Sequence, residues 1–283
     1  MFGFPIKYSE PVFRPPSEAQ SLILQITTGC SWNRCAFCEM YQSKTFTVRD
    51  ESVIAQEIKT LAESFPDTRR VFLADGDAFT LPTDHILRVM SLIKDHFPKV
   101  RRISSYAMPR NIKKKDDTEL MELRQAGLNL IYVGIESGDD EVLRRIRKGE
   151  TTESTVTALS RVKAAGIKSS VIAINGLGGK LLSQQHALNT AELLNRIQPE
   201  YFSTLVLTFH KGDLRFRSIF GDDFVQLDQV GLFKEMRVIL ENCQLNSTVF
   251  RSDHVSNYLA LKGTLNRDRD RLLQEIDAAI KYC

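Results

Sequence analysis

Three of the five cysteines fall within nine residues, in the stretch Gly29-Cys30-Ser31-Trp32-Asn33-Arg34-Cys35-Ala36-Phe37-Cys38. Three soft thiolates on one short loop can hold a metal ion or an iron–sulfur cluster. They cannot close a four-ligand site alone, so the fourth position decides the chemistry. The C-x4-C-x2-C spacing is that of a plant-type [2Fe–2S] site completed by a remote cysteine, here Cys243 or Cys283. A structural zinc site needs further ligands at close spacing, and those two distant cysteines do not form a pair. A [4Fe–4S] cluster on three thiolates keeps one iron open, and an open position can bind a ligand and react.

Other polar and glycine-bearing segments follow apolar runs. Asp75-Gly76-Asp77 comes after Arg70-Val71-Phe72-Leu73-Ala74, and Ser104-Ser105-Tyr106 closes a run that begins at Val100. Glu136-Ser137-Gly138 follows Asn129-Leu130-Ile131-Tyr132-Val133-Gly134-Ile135, and Asn175-Gly176-Leu177-Gly178-Gly179 follows a run from Ser169 to Ile174. Near the C-terminus, Arg251, His254, Ser256 and Asn257 form the densest polar cluster. Each also has a plain structural reading: a capped turn, a solvated face, or for Lys148 a cation near a helix end.

The elements that must position these groups alternate. A strand over about 22–27 delivers the cysteine loop. Asp50 then caps a helix carrying Ile54, Ile58 and Leu61, and Thr83 caps a second with Ile86, Leu87, Met90 and Ile93 on one face. Pro109 stops the third strand. Helices follow over 117–125, from Asp139, over 152–164 and over 183–197, and the sixth strand runs from Tyr201 to Leu207. Six strand–helix repeats with continuous apolar strands read as a parallel sheet buried on both faces. The fold class expected is α/β, a partial (β/α)6 TIM-type barrel with a C-terminal helical extension. Its parts are an extended surface lead-in over 1–20, a core over 21–215 and an extension over 216–283 that covers the barrel opening. That extension carries helices near 228–242 and 267–282. Chemistry-bearing residues at strand C-terminal ends suit such a barrel.

With these residues in place, the chain resembles the radical S-adenosylmethionine (SAM) superfamily, in particular its branch of Elp3-like and oxygen-independent coproporphyrinogen oxidase-like enzymes. The resemblance covers about residues 20–210. The usual spacing there is C-x3-C-x2-C with an aromatic before the last cysteine; Phe37 supplies the aromatic, and the loop is one residue longer. The resemblance implies that Cys30, Cys35 and Cys38 hold a [4Fe–4S] cluster. It implies that Asp75, Gly76 and Asp77 meet the SAM amino group through backbone carbonyls, and that Glu136 accepts the ribose hydroxyls. Lys148 falls where relatives pair a basic residue with the SAM carboxylate. Ser104 and Tyr106 fall on the ribose-binding strand, and Asn175 and Gly176 on the adenosine-facing turn. The implied reaction is reductive cleavage of SAM to a 5′-deoxyadenosyl radical that abstracts hydrogen from a substrate. Arg251, His254 and Asn257 are the candidate substrate-side catalytic residues.

Composition narrows the partners. With 42% hydrophobic and 26% charged residues and a net charge of +3, the chain reads as a soluble globular protein and does not argue for nucleic acid. No apolar run approaches 18 residues, and Met1-Phe2-Gly3-Phe4-Pro5-Ile6-Lys7 lacks a signal-peptide apolar region, so a cytoplasmic enzyme is expected. A small-molecule substrate and an electron donor such as flavodoxin or ferredoxin are the implied partners. Modification of RNA or protein, and a plant-type [2Fe–2S] electron-transfer protein, stay as alternatives.

Overall fold

A computed structural model describes residues 4–283; the first three residues of the expected lead-in lie outside the described residues. The strands and helices, in chain order, are β1 (Leu22–Gln25), β2 (Thr27–Thr28), β3 (Thr47–Val48), α1 (Glu51–Ser64), β4 (Arg70–Ala74), α2 (Thr83–His96), β5 (Arg102–Tyr106), α3 (Pro109–Lys113) and α4 (Asp117–Gln125). There follow β6 (Leu128–Glu136), α5 (Asp140–Arg145), α6 (Thr152–Ala164), β7 (Lys168–Asn175), α7 (Gly179–Ile197), β8 (Tyr201–Val206), α8 (Leu214–Phe220), α9 (Gln229–Asn242), β9 (Val249–Arg251), β10 (Lys262–Thr264) and α10 (Arg269–Lys281). This is the α/β repeat expected, with an eight-stranded sheet in the order β1-β4-β5-β6-β7-β8-β9-β10. Its registered pairs are parallel except β9 with β10.

The chain divides into two compact units. One comprises residues 4–33, 40–132 and 161–168, the other 34–39, 133–160 and 169–283. In the first, β1, β4 and β5 pair in register through Leu24↔Leu73 and Val71↔Ile103. Their side chains are buried on both faces, which is why the strands read as unbroken apolar runs. Helix α1 buries Ile54, Ile58 and Leu61 at helical spacing, and its N-cap Asp50 accepts the Ser52 N–H at 2.8 Å. Helix α4 starts with a capping box between Asp116 and Glu119.

The lead-in is mostly exposed but holds a fully buried carboxylate. Glu18 accepts from Arg102 (2.8 Å), Tyr132 (2.7 Å) and the Ser21 hydroxyl. Burial, reinforced by the charge of Glu18, pushes the Tyr132 phenol far above its ordinary pKa.

In the second unit the sheet runs β7-β8-β9-β10, after the last four residues of β6. Helices α5, α7 and α8 and the loops beside them supply a core of Val142, Leu143, Ile146, Leu177, Phe216 and Phe224. Phe216 and Phe224 meet edge-on with ring centroids 4.7 Å apart.

Three local expectations change. Thr83 is the first residue of α2 rather than its cap; Pro82 takes that position, and the Thr83 hydroxyl instead accepts from buried Lys115 at 3.3 Å. Pro109 ends a strand only indirectly, since it opens the short helix α3, where its missing N–H is an orphan in any case. Helix α7 begins at Gly179, four residues before the expected start at 183. The C-terminal extension is also not wholly helical. It adds β9, parallel to β8 through Phe202↔Phe250, and β10, antiparallel to β9 through Phe250↔Gly263. The Phe202 and Phe250 rings lie 5.4 Å apart and fix that register.

Candidate functional site

The cysteine loop follows β2, and its residues divide between the two units. Cys30 belongs to the first unit, Cys35 and Cys38 to the second; all three are partly exposed and none is in a disulfide among the described residues. Among the described residues no three His, Cys, Asp or Glu side chains gather as ligands of a single metal ion.

In the first unit, carboxylates after β4 anchor the start of the loop. Fully buried Asp75 accepts the Gly29 N–H at 3.1 Å, the Lys44 ammonium at 2.7 Å and Gln25 at 3.4 Å, all on one oxygen; its Oδ1 is buried without a hydrogen-bond partner among the described residues. Burial raises its pKa against the pull of Lys44. Gly76 donates to the Gly29 carbonyl at 3.1 Å, and a Cβ there would lie 2.4 Å from the Tyr41 ring, so only glycine lets these backbones approach.

Asp77 accepts the Ser31 hydroxyl and both oxygens take the Asn111 amide, at 2.7 and 2.8 Å. Burial lifts its carboxyl to about 6. Beside Asn111 on α3, Arg110 stacks over Trp32 with its guanidinium 3.8 Å from the ring. Thus α3, which sequence reading missed, reaches the loop through Arg110 and its brace Asp77 through Asn111. The signal was present in Pro109, a preferred first helical residue.

Two expected residues of the first unit lie on β5. Ser104 is fully buried at mid-strand, its hydroxyl 3.5 Å from the Val71 carbonyl. Tyr106 ends the strand and packs edge-on against Phe72, 5.1 Å between centroids.

In the second unit the rest of the loop is seated by backbone and core contacts. Ala36 donates to the Ile146 carbonyl at 2.8 Å, while Arg215 donates to the carbonyls of Ala36 (2.5 Å) and Cys35 (3.1 Å). Phe37 packs against the Phe216–Phe224 core. Glu39 accepts the backbone N–H groups of His210 and Lys211, each at 3.2 Å.

Glu136 closes β6 in the left-handed region at φ 62°, where a bulky L residue is held only by its surroundings. Its Oε1 accepts from Lys148 at 2.7 Å, both side chains about one-tenth exposed. Oε2 accepts no hydrogen bond among the described residues. The carboxylate folds over Gly134, where a Cβ would lie 2.0 Å from Oε1. At the end of β7, Asn175 buries an Oδ1 that has no hydrogen-bond partner among the described residues.

Behind these residues runs a buried polar chain that sequence reading did not find. Ser137 and His186 Nδ1 share a hydrogen bond at 2.7 Å, and His186 Nε2 lies 3.7 Å from Glu235. Glu235 accepts the Gly176 N–H and the Ser183 hydroxyl, each at 2.5 Å. A carboxylate on α9 thereby fixes the turn after β7. Nothing in the local sequence of α9 marks Glu235, because its partners come from segments about fifty residues upstream.

The C-terminal candidates are tied to β8. Asn257 donates to the Thr204 carbonyl at 2.8 Å, and Ser256 accepts the Val206 N–H at 3.1 Å. His254 shares a hydrogen bond with Ser256 at 2.8 Å, and burial lowers its pKa, favouring neutral imidazole. Arg251 ends β9 with a buried Nε that has no hydrogen-bond partner among the described residues. Cys243, considered as a remote fourth ligand, is a buried thiol at the end of α9, pushed up to about 12 by burial; Cys283 is exposed. No helix among the described residues is long and apolar enough to cross a membrane.

Comparison with known proteins adds to this geometry. The heme chaperone HemW of Bacillus subtilis (strain 168) is 23% identical over 179 residues, which is 61% of this chain and 47% of HemW. The chain spans about half or less of the length of the curated relatives it matches. Among solved structures, coproporphyrinogen III oxidase (HemN) from Escherichia coli superposes with a TM-score of 0.59 at 18% identity, covering 78% of this chain and 52% of that one. Methylornithine synthase (PylB) superposes with a TM-score of 0.55 at 15% identity, covering 92% and 81%. These two share the fold. The family model for the radical SAM superfamily matches residues 24–194, more than half of the sequence, and the chain therefore belongs to the radical SAM superfamily of enzymes.

Proposed function

We propose that this chain is a radical SAM enzyme that abstracts hydrogen from a small-molecule substrate, reduced by a donor such as flavodoxin or ferredoxin. Membership implies a [4Fe–4S] cluster and SAM, and the donor chemistry fits both. Each thiolate of a four-iron cluster takes its own iron, so three sulfurs need not converge on a point as ligands of a single ion must. Cys30, Cys35 and Cys38 would hold the cluster. When bound, the cluster and SAM would supply one-electron reductive cleavage of the sulfonium to methionine and a hydrogen-abstracting radical.

The observation that carries this reading is Glu136. Its left-handed backbone, its Lys148 partner on Oε1 and its uncommitted Oε2 describe a carboxylate oriented at one oxygen and available at the other. Ribose hydroxyls are the donors such a carboxylate accepts. Lys148 would hold Glu136 and supply a positive charge toward the SAM carboxylate. The orphaned Asn175 Oδ1 would accept from the adenosine beside Gly176.

In the first unit, Asp75, Gly76 and Asp77 would offer backbone carbonyls to the SAM amino group while their side chains keep the loop in place. Ser104 and Tyr106 would lie toward the ribose, and Phe37 would seat the loop. Residues 216–283 would form the substrate side, where Arg251, with an unspent Nε, is the first candidate to touch substrate; His254 and Asn257 would support it.

Anaerobic reconstitution with iron and sulfide, followed by SAM and dithionite, should give a four-iron cluster and 5′-deoxyadenosine. Absence of both overturns the reading. Glu136→Ala should keep the iron content and weaken SAM binding tenfold or more; unchanged affinity removes the ribose assignment.

A further inference from the structure

A cavity of about 970 Å³ opens on the first unit at the amino-terminal ends of β1, β4 and β5, the end of these strands opposite Asp75 and Asp77. About 16 Å of extended strand separates the two ends. The cavity belongs to none of the groups described above. Five arginines line it, Arg14, Arg69, Arg70, Arg101 and Arg102, against two carboxylates, Glu10 and Asp67. Asp67 is itself paired with Lys99.

The strand register builds this charge. Arg69-Arg70 leads into β4 and Arg101-Arg102 into β5, with Arg70 opposite Arg102 and the Arg101 N–H donating to the Arg69 carbonyl at 2.9 Å. Neighbouring strands lie about 4.8 Å apart, so like charges crowd at one sheet edge. Little in the protein answers them. Arg70 donates to neutral Gln20 (3.0 Å) and Arg14 to the Ser21 carbonyl (3.2 Å). Arg102 meets buried Glu18, yet its Nε is buried without a hydrogen-bond partner among the described residues. The Arg69 and Arg101 guanidinium groups make no hydrogen bond or ion pair among the described residues.

Aromatic faces share the same cavity. Phe4 stacks on Phe65 at 5.5 Å and tilts against Tyr8 at 5.3 Å, and Tyr8 is fixed by its hydroxyl on the Ile23 carbonyl (2.9 Å). Phe4 is 50% and Phe65 38% exposed.

We infer that this cavity binds a nucleoside polyphosphate, with the arginines of β4 and β5 on the phosphates and the Phe4–Phe65 stack against the base. Guanidinium forks match phosphate oxygens in pairs, and a flat aromatic face accepts any base. The volume suits a whole nucleotide and is far larger than one phosphate needs. The site is independent of the SAM reading.

The test is titration of the reconstituted protein with ATP, pyrophosphate and a ten-nucleotide single-stranded RNA, SAM being present at saturation to occupy any adenosine site elsewhere. ATP should bind saturably below 1 mM. Arg69→Ala/Arg101→Ala, two exposed side chains that make no hydrogen bond or ion pair among the described residues, should weaken ATP and pyrophosphate tenfold or more while leaving 5′-deoxyadenosine formation and the melting temperature unchanged. Phe65→Ala should weaken ATP several-fold and pyrophosphate not at all. No saturable ATP binding, or ATP binding untouched by the double arginine variant, overturns the inference. RNA bound more than a hundredfold tighter than ATP, with loss on the same variant, would also overturn it and make the cavity a nucleic-acid site.

Discussion

Buried carboxylates end strands in both units, and they are used differently. After β4, Asp75 and Asp77 direct their oxygens at the cysteine loop and its supports: Gly29, Ser31, Lys44 and Asn111. After β6, Glu136 accepts from Lys148 alone among the described residues, on one oxygen. The first arrangement holds backbone in position. The second holds a carboxylate ready for a donor that the protein does not supply. Acidic residues at equivalent places along a strand therefore cannot be assigned the same task from their type alone; Asp75 takes three donors on one oxygen and leaves Oδ1 buried, whereas Glu136 takes Lys148 alone.

The sharpest way to break that contrast is Lys148→Met. It leaves Glu136 buried without its cation and should cost about 3–5 kcal/mol. Adding Glu136→Gln should recover most of the loss, read from urea midpoints as a double-mutant cycle; no recovery would mean that Lys148 acts through packing. Next in size is the pH response of Asp77. Its folded-state pKa, about 6, lies above the ordinary 3.8. The folded protein thus holds that proton more tightly, and the contribution is complete below about pH 4 and lost as pH rises through about 6. Two units correspond to at most about 3 kcal/mol. Urea midpoints of the apo protein between pH 4 and 7 should show this slope, and Asp77→Asn should lack it.

Gly134→Ala comes third. A Cβ 2.0 Å from Glu136 Oε1 must displace the carboxylate, at about 1–3 kcal/mol, and SAM affinity should fall with it while Gly76-dependent loop contacts persist. The smallest effect belongs to a surface pair. Arg88 and Glu51 have side chains 56% and 43% exposed, so Arg88→Ala should change stability by less than about 1 kcal/mol. A larger change there would undo the ranking by burial.

The α/β repeat was legible because parallel strands buried on both faces read as continuous apolar runs, as Val71–Ala74 and Leu130–Val133 do. Strands β9 and β10 were not, since three residues carry no usable period and their pairing depends on Phe202 meeting Phe250. At the site, residue types and spacing marked the cysteine loop, Glu136 and Asn175. They did not mark Asn111, Arg110, His186 or Glu235. Those act at long sequence separation, and only the folded chain brings their polar atoms to Asp77, Trp32, Ser137 and Gly176. The Asp75 side chain was legible as acidic but not as a brace, because its partner Lys44 is thirty-one residues away.

One cysteine outside the loop has a practical consequence. Cys243 is 1% exposed and its thiol stays protonated at neutral pH, whereas Cys283 is exposed. A thiol reagent reaches Cys243 only when the end of α9 opens, so its labelling rate, measured in a Cys283→Ser background with the loop cysteines occupied, is a clock for opening events in the second unit. In dilute reagent that clock reports the opening equilibrium, and in excess reagent the opening rate itself.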